Sequence, residues 1–171
     1  MLFRSAASLG VGRLIFTVTD TGERSYREAN LWKGGEFREY LINGLQTAGG
    51  TVLPAVELCG GLREALAAAE SAPGAAAAQA RTTRLVLDNV GSGRPLSQVN
   101  LTGADDAPGG LSAGPRAAVL AVGSERGWSE RERRLFREAG FESVSLGSRV
   151  LRTETACSIG AALALARMGF V

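Results

Sequence analysis

The sequence predicts an α/β domain built on a mainly parallel sheet. Three observations carry that expectation. Apolar runs at 84–88 (RLVLD), 117–122 (AAVLAV) and 143–146 (SVSL) alternate with helical segments. The helix between the last two opens on a capping box, Ser129 with Glu132, and stops at Gly140. A chain of 171 residues that is 45% hydrophobic is also long enough for one well-cored domain.

Taken in order, residues 1–8 read as the last turns of a helix that ends at Gly10. Residues 11–19 (VGRLIFTVT) form a β-branched and aromatic run that predicts a buried strand. Apolar positions at Leu31, Trp32, Phe37, Tyr40, Leu41 and Leu45 predict a helix over 31–47, interrupted in propensity by Gly34, Gly35 and Gly44. A short strand is expected at 51–56, placed at a sheet end or edge by Pro54. An Ala-rich helix follows at 62–71, then a low-complexity surface excursion at 72–80. After the strand at 84–88, the Gly-, Ser-, Asp- and Pro-rich stretch 89–115 reads mostly as a long loop. The strand at 117–122 is apolar throughout, as expected of one buried on both faces. Residues 147–153 form a loop and 154–168 the last helix. In parallel sheets ligands sit at the carboxyl ends of strands, which places the loops 123–128 and 147–153 at the expected binding edge.

Composition excludes several chemistries. The chain has no histidine, which removes His-activated nucleophiles and most zinc sites. Cys59 and Cys157 stand far apart and read as free thiols in a reducing compartment. No apolar run reaches the length of a membrane span and no signal-peptide pattern opens the chain, so a soluble cytoplasmic protein is expected. Nineteen basic against 17 acidic residues leave a net charge of +2, a balance that argues against tight RNA binding by this chain unaided.

The first loop reads Val122-Gly123-Ser124-Glu125-Arg126-Gly127-Trp128-Ser129. Its glycines allow close backbone approach to a ligand, and the helix behind it favours hydrogen-bond acceptors. The same pattern also describes an ordinary strand-to-helix turn. The second loop reads Leu146-Gly147-Ser148-Arg149-Val150-Leu151-Arg152-Thr153-Glu154-Thr155-Ala156, with two arginines, a glutamate and two threonines between a strand and an apolar helix. Its plain reading is a helix cap with a surface Arg–Glu pair.

Together these loops resemble the SPOUT-class RNA methyltransferases that modify N3 of a uridine in small-subunit (16S) ribosomal RNA. That family's first loop typically reads G-P-E-G-G-[FW]-[ST] and its second L-G-x-R-[IV]-L-R-T-E-T-A. The second matches almost throughout residues 146–156. Looser similarity covers Leu9-Gly10-Val11, Arg24-Ser25-Tyr26, and the stretch from Gly44-Leu45 to Leu53-Pro54.

The resemblance implies an α/β knot fold, with a trefoil knot over about 117–168, an exception to the rule that chains do not thread. It implies S-adenosylmethionine as cofactor, held by Val122, Gly123, Gly127, Leu146, Gly147, Val150 and Leu151, and no metal. It implies an RNA partner and a homodimer through the last helix, where Gly160, Ala161, Ala162, Ala164 and Ala166 would permit close approach; an Ala-rich helix also packs well inside one subunit. Arg152 would stabilise negative charge on the base or hold a phosphate, with Glu154 orienting it and Glu125 near the methyl group. Glu154 also fits a plain N-terminal helix charge.

Three departures qualify the match. Serines stand at 124 and 148 where the family has proline, which enlarges the unfolded ensemble at a cost of about 0.4–1 kcal/mol each. Arg126 stands where the family has glycine, either obstructing the cofactor or projecting outward towards RNA. Thr47-Ala48-Gly49-Gly50 replaces a Gln-Ser-x-Arg segment. The family also carries an N-terminal PUA-like barrel, a strand and most of a helix before the segment matching Met1. The expected organisation is therefore a single SPOUT domain over 1–171, short at its N-terminus, with an exposed sheet edge or a gap. A catalytically silent dimeric module binding RNA or protein, or a methyltransferase acting on tRNA, is the alternative.

Overall fold

The computed structural model describes residues 2–22, 32, 34–71, 82–91, 93–101 and 117–170. The excursion expected at 72–80, the Arg24-Ser25-Tyr26 segment and the loop beyond 101 lie outside the described residues. Along the rest, the order is α1 (Leu2–Ser8), β1 (Arg13–Thr17), α2 (Glu36–Ala48), β2 (Ala55–Cys59), α3 (Leu62–Glu70) and β3 (Thr82–Leu87). Then come β4 (Arg94–Pro95), a 3₁₀ turn (Leu96–Gln98), β5 (Ala117–Val122), α4 (Glu130–Glu138), β6 (Glu142–Ser145) and α5 (Thr153–Met168).

Every strand pairing among the described residues is parallel. β1 and β2 form one sheet, and β4-β6-β3-β5 form a second in that spatial order. The α/β class read from the sequence is therefore present. β1 and β5 are not hydrogen-bonded to each other, so the sheet is divided between these two pairings.

Strand alternation decides the packing of the larger sheet. Leu85 and Leu87 of β3 point to one face, where they join Val144, Leu96, Val99, Leu101 and Ala164 of α5. Val86 points to the other, against Trp128, Leu135, Phe136, Phe141 and Leu62. Burying an aromatic or aliphatic side chain of this kind contributes about 1.5–3 kcal/mol. A third cluster, Phe3, Ala7, Leu41 and Leu45, packs α1 and α2 on Leu14, Phe16 and Val56 of the smaller sheet. Gly44 is the contact point of these two helices, since a Cβ there would lie 2.5 Å from the Arg4 carbonyl oxygen.

Several boundaries differ from the sequence reading, each for a physical reason. The strand expected at 51–56 lies at Ala55–Cys59. Pro54 has no N–H, so the ladder starts one residue later, with the Ala55 amide donating to the Gly12 carbonyl at 3.0 Å. Val52, read as part of the strand, is 79% exposed. The helix expected from 31 begins at Glu36, behind Gly35 in the left-handed region at φ 69°. The first strand is half-buried rather than buried. β5, expected to be covered on both faces, is likewise half-buried, because it forms the edge of its sheet among the described residues. The stretch read as a loop from 89 contains β4 and the 3₁₀ turn, with Leu96, Val99 and Leu101 all at most 2% exposed.

Candidate functional site

β5 and β6 flank β3 in register, so their carboxyl ends open on the same edge of the sheet. The loops 123–129 and 146–152 leave from those ends and meet. Thr153 Oγ1 donates to the Gly123 carbonyl at 3.1 Å and ties the first turn of α5 to the first loop. The two loops singled out in the sequence therefore lie side by side.

The first loop is held from three sides. Its own turn closes through the Gly127 amide, which donates to the Ser124 carbonyl at 2.9 Å. Gly127 has φ 69°, where a side chain would be strained. From the sheet, Trp128 is buried and donates Nε1–H to the Leu87 carbonyl at 2.9 Å, using the acceptor exposed where β3 ends. From the segment after β1 comes a third grip. Thr21 Oγ1 donates to the Gly127 carbonyl at 2.6 Å and lies 3.1 Å from Ser124 Oγ.

Below this loop the capping box is formed as expected. Ser129 Oγ accepts from the Glu132 amide at 3.1 Å, and Glu132 Oε2 accepts from the Ser129 amide at 2.8 Å. Glu132 does more than cap. It is fully buried, and its second oxygen accepts the Asp20 amide at 2.8 Å. Asp20 in turn accepts from Ser129 Oγ and from the Arg131 guanidinium. Arg131 first, and then Ser129, hold the Asp20 carboxyl below its ordinary value by hydrogen-bonding its charged form. Nearby, Arg133 binds the buried Asp88 at 2.6 Å just beyond β3.

The second loop is looser. Gly147 has φ 116°, and among the described residues no hydrogen bond engages the backbone of Ser148, Arg149 or Val150. Those N–H and C=O groups are available to a ligand.

The cofactor residues named from the sequence fall into two groups. Val122, Gly123, Gly127, Leu146 and Leu151 are half-buried around the junction, whereas Gly147 and Val150 are exposed on its rim. Gly123 has a different reason from the one expected. A Cβ there would lie 3.1 Å from the Trp128 ring, so its bareness serves packing within the chain. Glu125, Arg126, Arg152 and Glu154 are all exposed, and no ion pair among the described residues engages Arg126, Arg149 or Arg152. The Arg–Glu surface pair of the plain reading is thus not formed between Arg152 and Glu154. Arg126 stands in solvent, which favours the outward reading of that residue over obstruction.

Sequence reasoning missed Asp20, Thr21 and the second bond of Glu132, all contacts across more than 100 residues. The only local signal was a polar Asp-Thr-Gly turn directly after an apolar strand. The small residues assigned to a dimer contact also divide. Gly160 and Ala164 face the chain's own sheet, a Cβ on Gly160 falling 2.8 Å from Leu120. Ala166 is exposed, and Ala161 and Ala162 are half-buried.

A parallel α/β sheet with two adjacent loops at its carboxyl edge defines an α/β domain whose loops lie where such sheets bind their ligands. Comparison gives the family: residues 1–166 match the RNA methyltransferase domain, and the chain belongs to that family. It is 34% identical over 165 residues to ribosomal RNA small subunit methyltransferase E of Treponema pallidum (strain Nichols), covering 96% of this chain and 56% of that protein. A second relative, ribosomal RNA small subunit methyltransferase E 1 of Borreliella burgdorferi, is 27% identical over 155 residues, or 91% of this chain and 56% of its own length. The chain thus spans about half the length of the curated relatives it matches. Among solved structures, the Neisseria gonorrhoeae ribosomal RNA small subunit methyltransferase E bound to S-adenosyl methionine superposes with TM-score 0.66 at 25% identity, over 96% of this chain and 59% of that one. A Legionella pneumophila methyltransferase in complex with its SAM cofactor shares the fold, with TM-score 0.68 at 24% identity over the same shares of the two chains. The resemblance read from residues 146–156 is borne out at the level of the family. No helix among the described residues is long and apolar enough to cross a membrane.

Proposed function

We propose that this chain is the cofactor-binding domain of an S-adenosylmethionine-dependent RNA methyltransferase acting on N3 of a uridine in small-subunit ribosomal RNA. We further propose that it threads a C-terminal knot and works in the cytoplasm as a homodimer through α5. The observation that carries the reading is the junction of the two loops through Thr153 and Gly123, in a chain that matches the family over residues 1–166.

The residues fit the cofactor. Val122, Leu146 and Leu151 are half-buried apolar walls for an adenine ring, and Val150, 75% exposed, is an uncovered aliphatic group on the rim. The unengaged backbone of 148–150 supplies donors and acceptors for the ring edge. Glycines 123, 127 and 147 complete this set.

S-adenosylmethionine supplies an already activated methyl group when bound. What remains for the chain is to place the base in line with it and to manage the proton on N3. Arg152, exposed at the start of α5, is free to approach the base or its phosphate and to stabilise the negative charge that develops as N3 loses its proton. Glu154 lies in the first turn of α5, where it can orient Arg152, and Glu125 lies on the facing loop as a polar contact near the methyl group.

Calorimetric titration with S-adenosylmethionine and S-adenosylhomocysteine tests the reading. The natural chain and Arg126→Gly are both expected to bind at micromolar concentrations and within about twofold of each other, because Arg126 projects into solvent. Arg152→Ala should bind S-adenosylhomocysteine normally and lose about 100-fold or more in methylation of small-subunit RNA. Absence of binding by the natural chain and by Arg126→Gly would sink the enzyme reading and leave a dimeric RNA- or protein-binding module.

A further inference from the structure

We infer that Thr21, in the bend four residues beyond β1, is a positioning residue that holds the first loop in its binding shape and so sets cofactor affinity. The inference rests on the proposed cofactor site for its consequence, but not for its geometry.

The hydroxyl accounting is complete. Thr21 Oγ1 carries one hydrogen, and its 2.6 Å bond to the Gly127 carbonyl oxygen, which can only accept, uses it. The 3.1 Å contact with Ser124 Oγ must therefore run the other way, with Ser124 donating to a lone pair of Thr21. A two-step relay, Ser124 to Thr21 to Gly127, thus spans both ends of the 124–127 turn. The turn's own backbone bond, from the Gly127 amide to the Ser124 carbonyl, lies between the same two residues. One side chain from a segment distant in the sequence clamps the mouth of the loop.

The neighbours make that clamp rigid rather than incidental. Asp20 is fixed by its amide to the fully buried Glu132 and by its carboxylate to Ser129 and Arg131. Thr21 is therefore presented from a backbone that is itself bonded to the start of α4. The loop in turn carries Gly123 and Gly127, placed in the binding site, and Glu125 between them. Nothing else in the described residues reaches the 124–127 turn from the β1 side. Two sheets that share no strand pairing are joined at their carboxyl ends by this contact. The segment after β1 thus meets the 124–127 turn through the Thr21 hydroxyl and the start of α4 through Asp20.

The test uses the full chain with three substitutions. Thr21→Val keeps the shape and removes the hydroxyl, Thr21→Ser keeps the hydroxyl, and Ser124→Ala removes the first step of the relay. Hydrogen exchange of the amides at 125–128, measured without ligand, should quicken by about 3- to 10-fold in Thr21→Val, the loss expected of one net hydrogen bond. Affinity for S-adenosylhomocysteine should fall by a similar factor of about 3 to 10, with the exchange of core amides at Leu85 and Val144 unchanged. Thr21→Ser should restore both readouts, which a purely structural packing role for the methyl group would not allow. Ser124→Ala should give a smaller change in the same direction. Unaltered exchange at 125–128 in Thr21→Val overturns the positioning role, whatever the chain binds. A natural chain that takes no S-adenosylhomocysteine overturns the cofactor reading, and exchange then still decides the role of Thr21.

Discussion

Glu132 is the residue whose loss should be felt most sharply. It is fully buried, and each carboxylate oxygen accepts one backbone amide at 2.8 Å, from Asp20 and from Ser129. Substituting alanine strips both amides of their acceptor and removes half of the capping box. A donor left unsatisfied costs about 1–3 kcal/mol. Two such donors would sum to about 2–6 kcal/mol, and their partly buried surroundings, which admit some water, place the cost in the lower half, about 2–4 kcal/mol. For a domain of this size that corresponds to a fall of about 5–15 °C in Tm. Glu132→Gln keeps one acceptor oxygen and turns an NH₂ group towards the other amide, so about 1–2 kcal/mol is expected. Urea unfolding followed by tryptophan fluorescence measures both, with an unchanged m-value required before the free energies are compared. Stability within about 0.5 kcal/mol of the natural chain in Glu132→Ala would refute the reasoning, since surface substitutions alone produce changes of that size.

Two further outcomes follow from the same structure. Gly44→Ala should destabilise the chain, because its methyl would lie 2.5 Å from the Arg4 backbone oxygen and 2.9 Å from Ala7 Cβ; a helix-propensity gain of about 1 kcal/mol offsets only part of an overpacking cost of about 1–3 kcal/mol, and a raised Tm would contradict this. Burial first, and the Glu154 charge second, push the Cys157 thiol up to about 11. Both causes disfavour the thiolate, so Cys157 should resist iodoacetamide in the native chain at pH 8, react readily in urea, and gain reactivity only as pH climbs towards that value. Rapid native labelling at pH 8, read by peptide mass spectrometry, would count against it.

Much of the C-terminal half was legible because its signals are local. The apolar run at 117–122, the Ser129–Glu132 capping box and the stop at Gly140 each act over a few residues, and each appears within a residue or two of its expected place. Where pairing rather than propensity decides, sequence reasoning slipped. Val52 and Leu53 look like strand but precede Pro54, and the register with β1 begins at Ala55. Leu96, Val99 and Leu101 were hidden in a polar stretch, because a two-residue strand and a 3₁₀ turn are too short to show periodicity. The site divides in the same way. The two loops were found from their residues, but the clamps on them were not. Asp20 and Thr21 act on partners 103 to 112 positions away, and no spacing rule reaches so far.

The clamps also explain why the loop departures from the family pattern are compatible with the fold. Ser124, Arg126 and Ser148 differ from the pattern at positions where the chain itself makes few demands on the side chain. Arg126 and Ser148 are exposed, and Ser124 is used only through a hydroxyl that meets Thr21. The first loop is held from outside by Thr21 on the Gly127 carbonyl, Glu132 on the Ser129 amide and Thr153 on the Gly123 carbonyl, and is anchored by its own Trp128 on the Leu87 carbonyl. The three outside contacts all end on the loop's main chain. A loop held by its main chain can change its exposed side chains without losing its shape, provided that the residues doing the holding stay. Tolerance should therefore be high at 125 and 126 for the fold and low at Thr21, Trp128, Glu132 and Thr153. The exposed positions are then free to be chosen by what they meet outside the chain, and three of them, Arg126, Arg149 and Arg152, are arginines with no acidic partner among the described residues. A chain with a net charge of only +2 thus leaves three arginines unpaired on these loops, while Arg13, Arg84, Arg94, Arg131 and Arg133 are held in ion pairs elsewhere among the described residues.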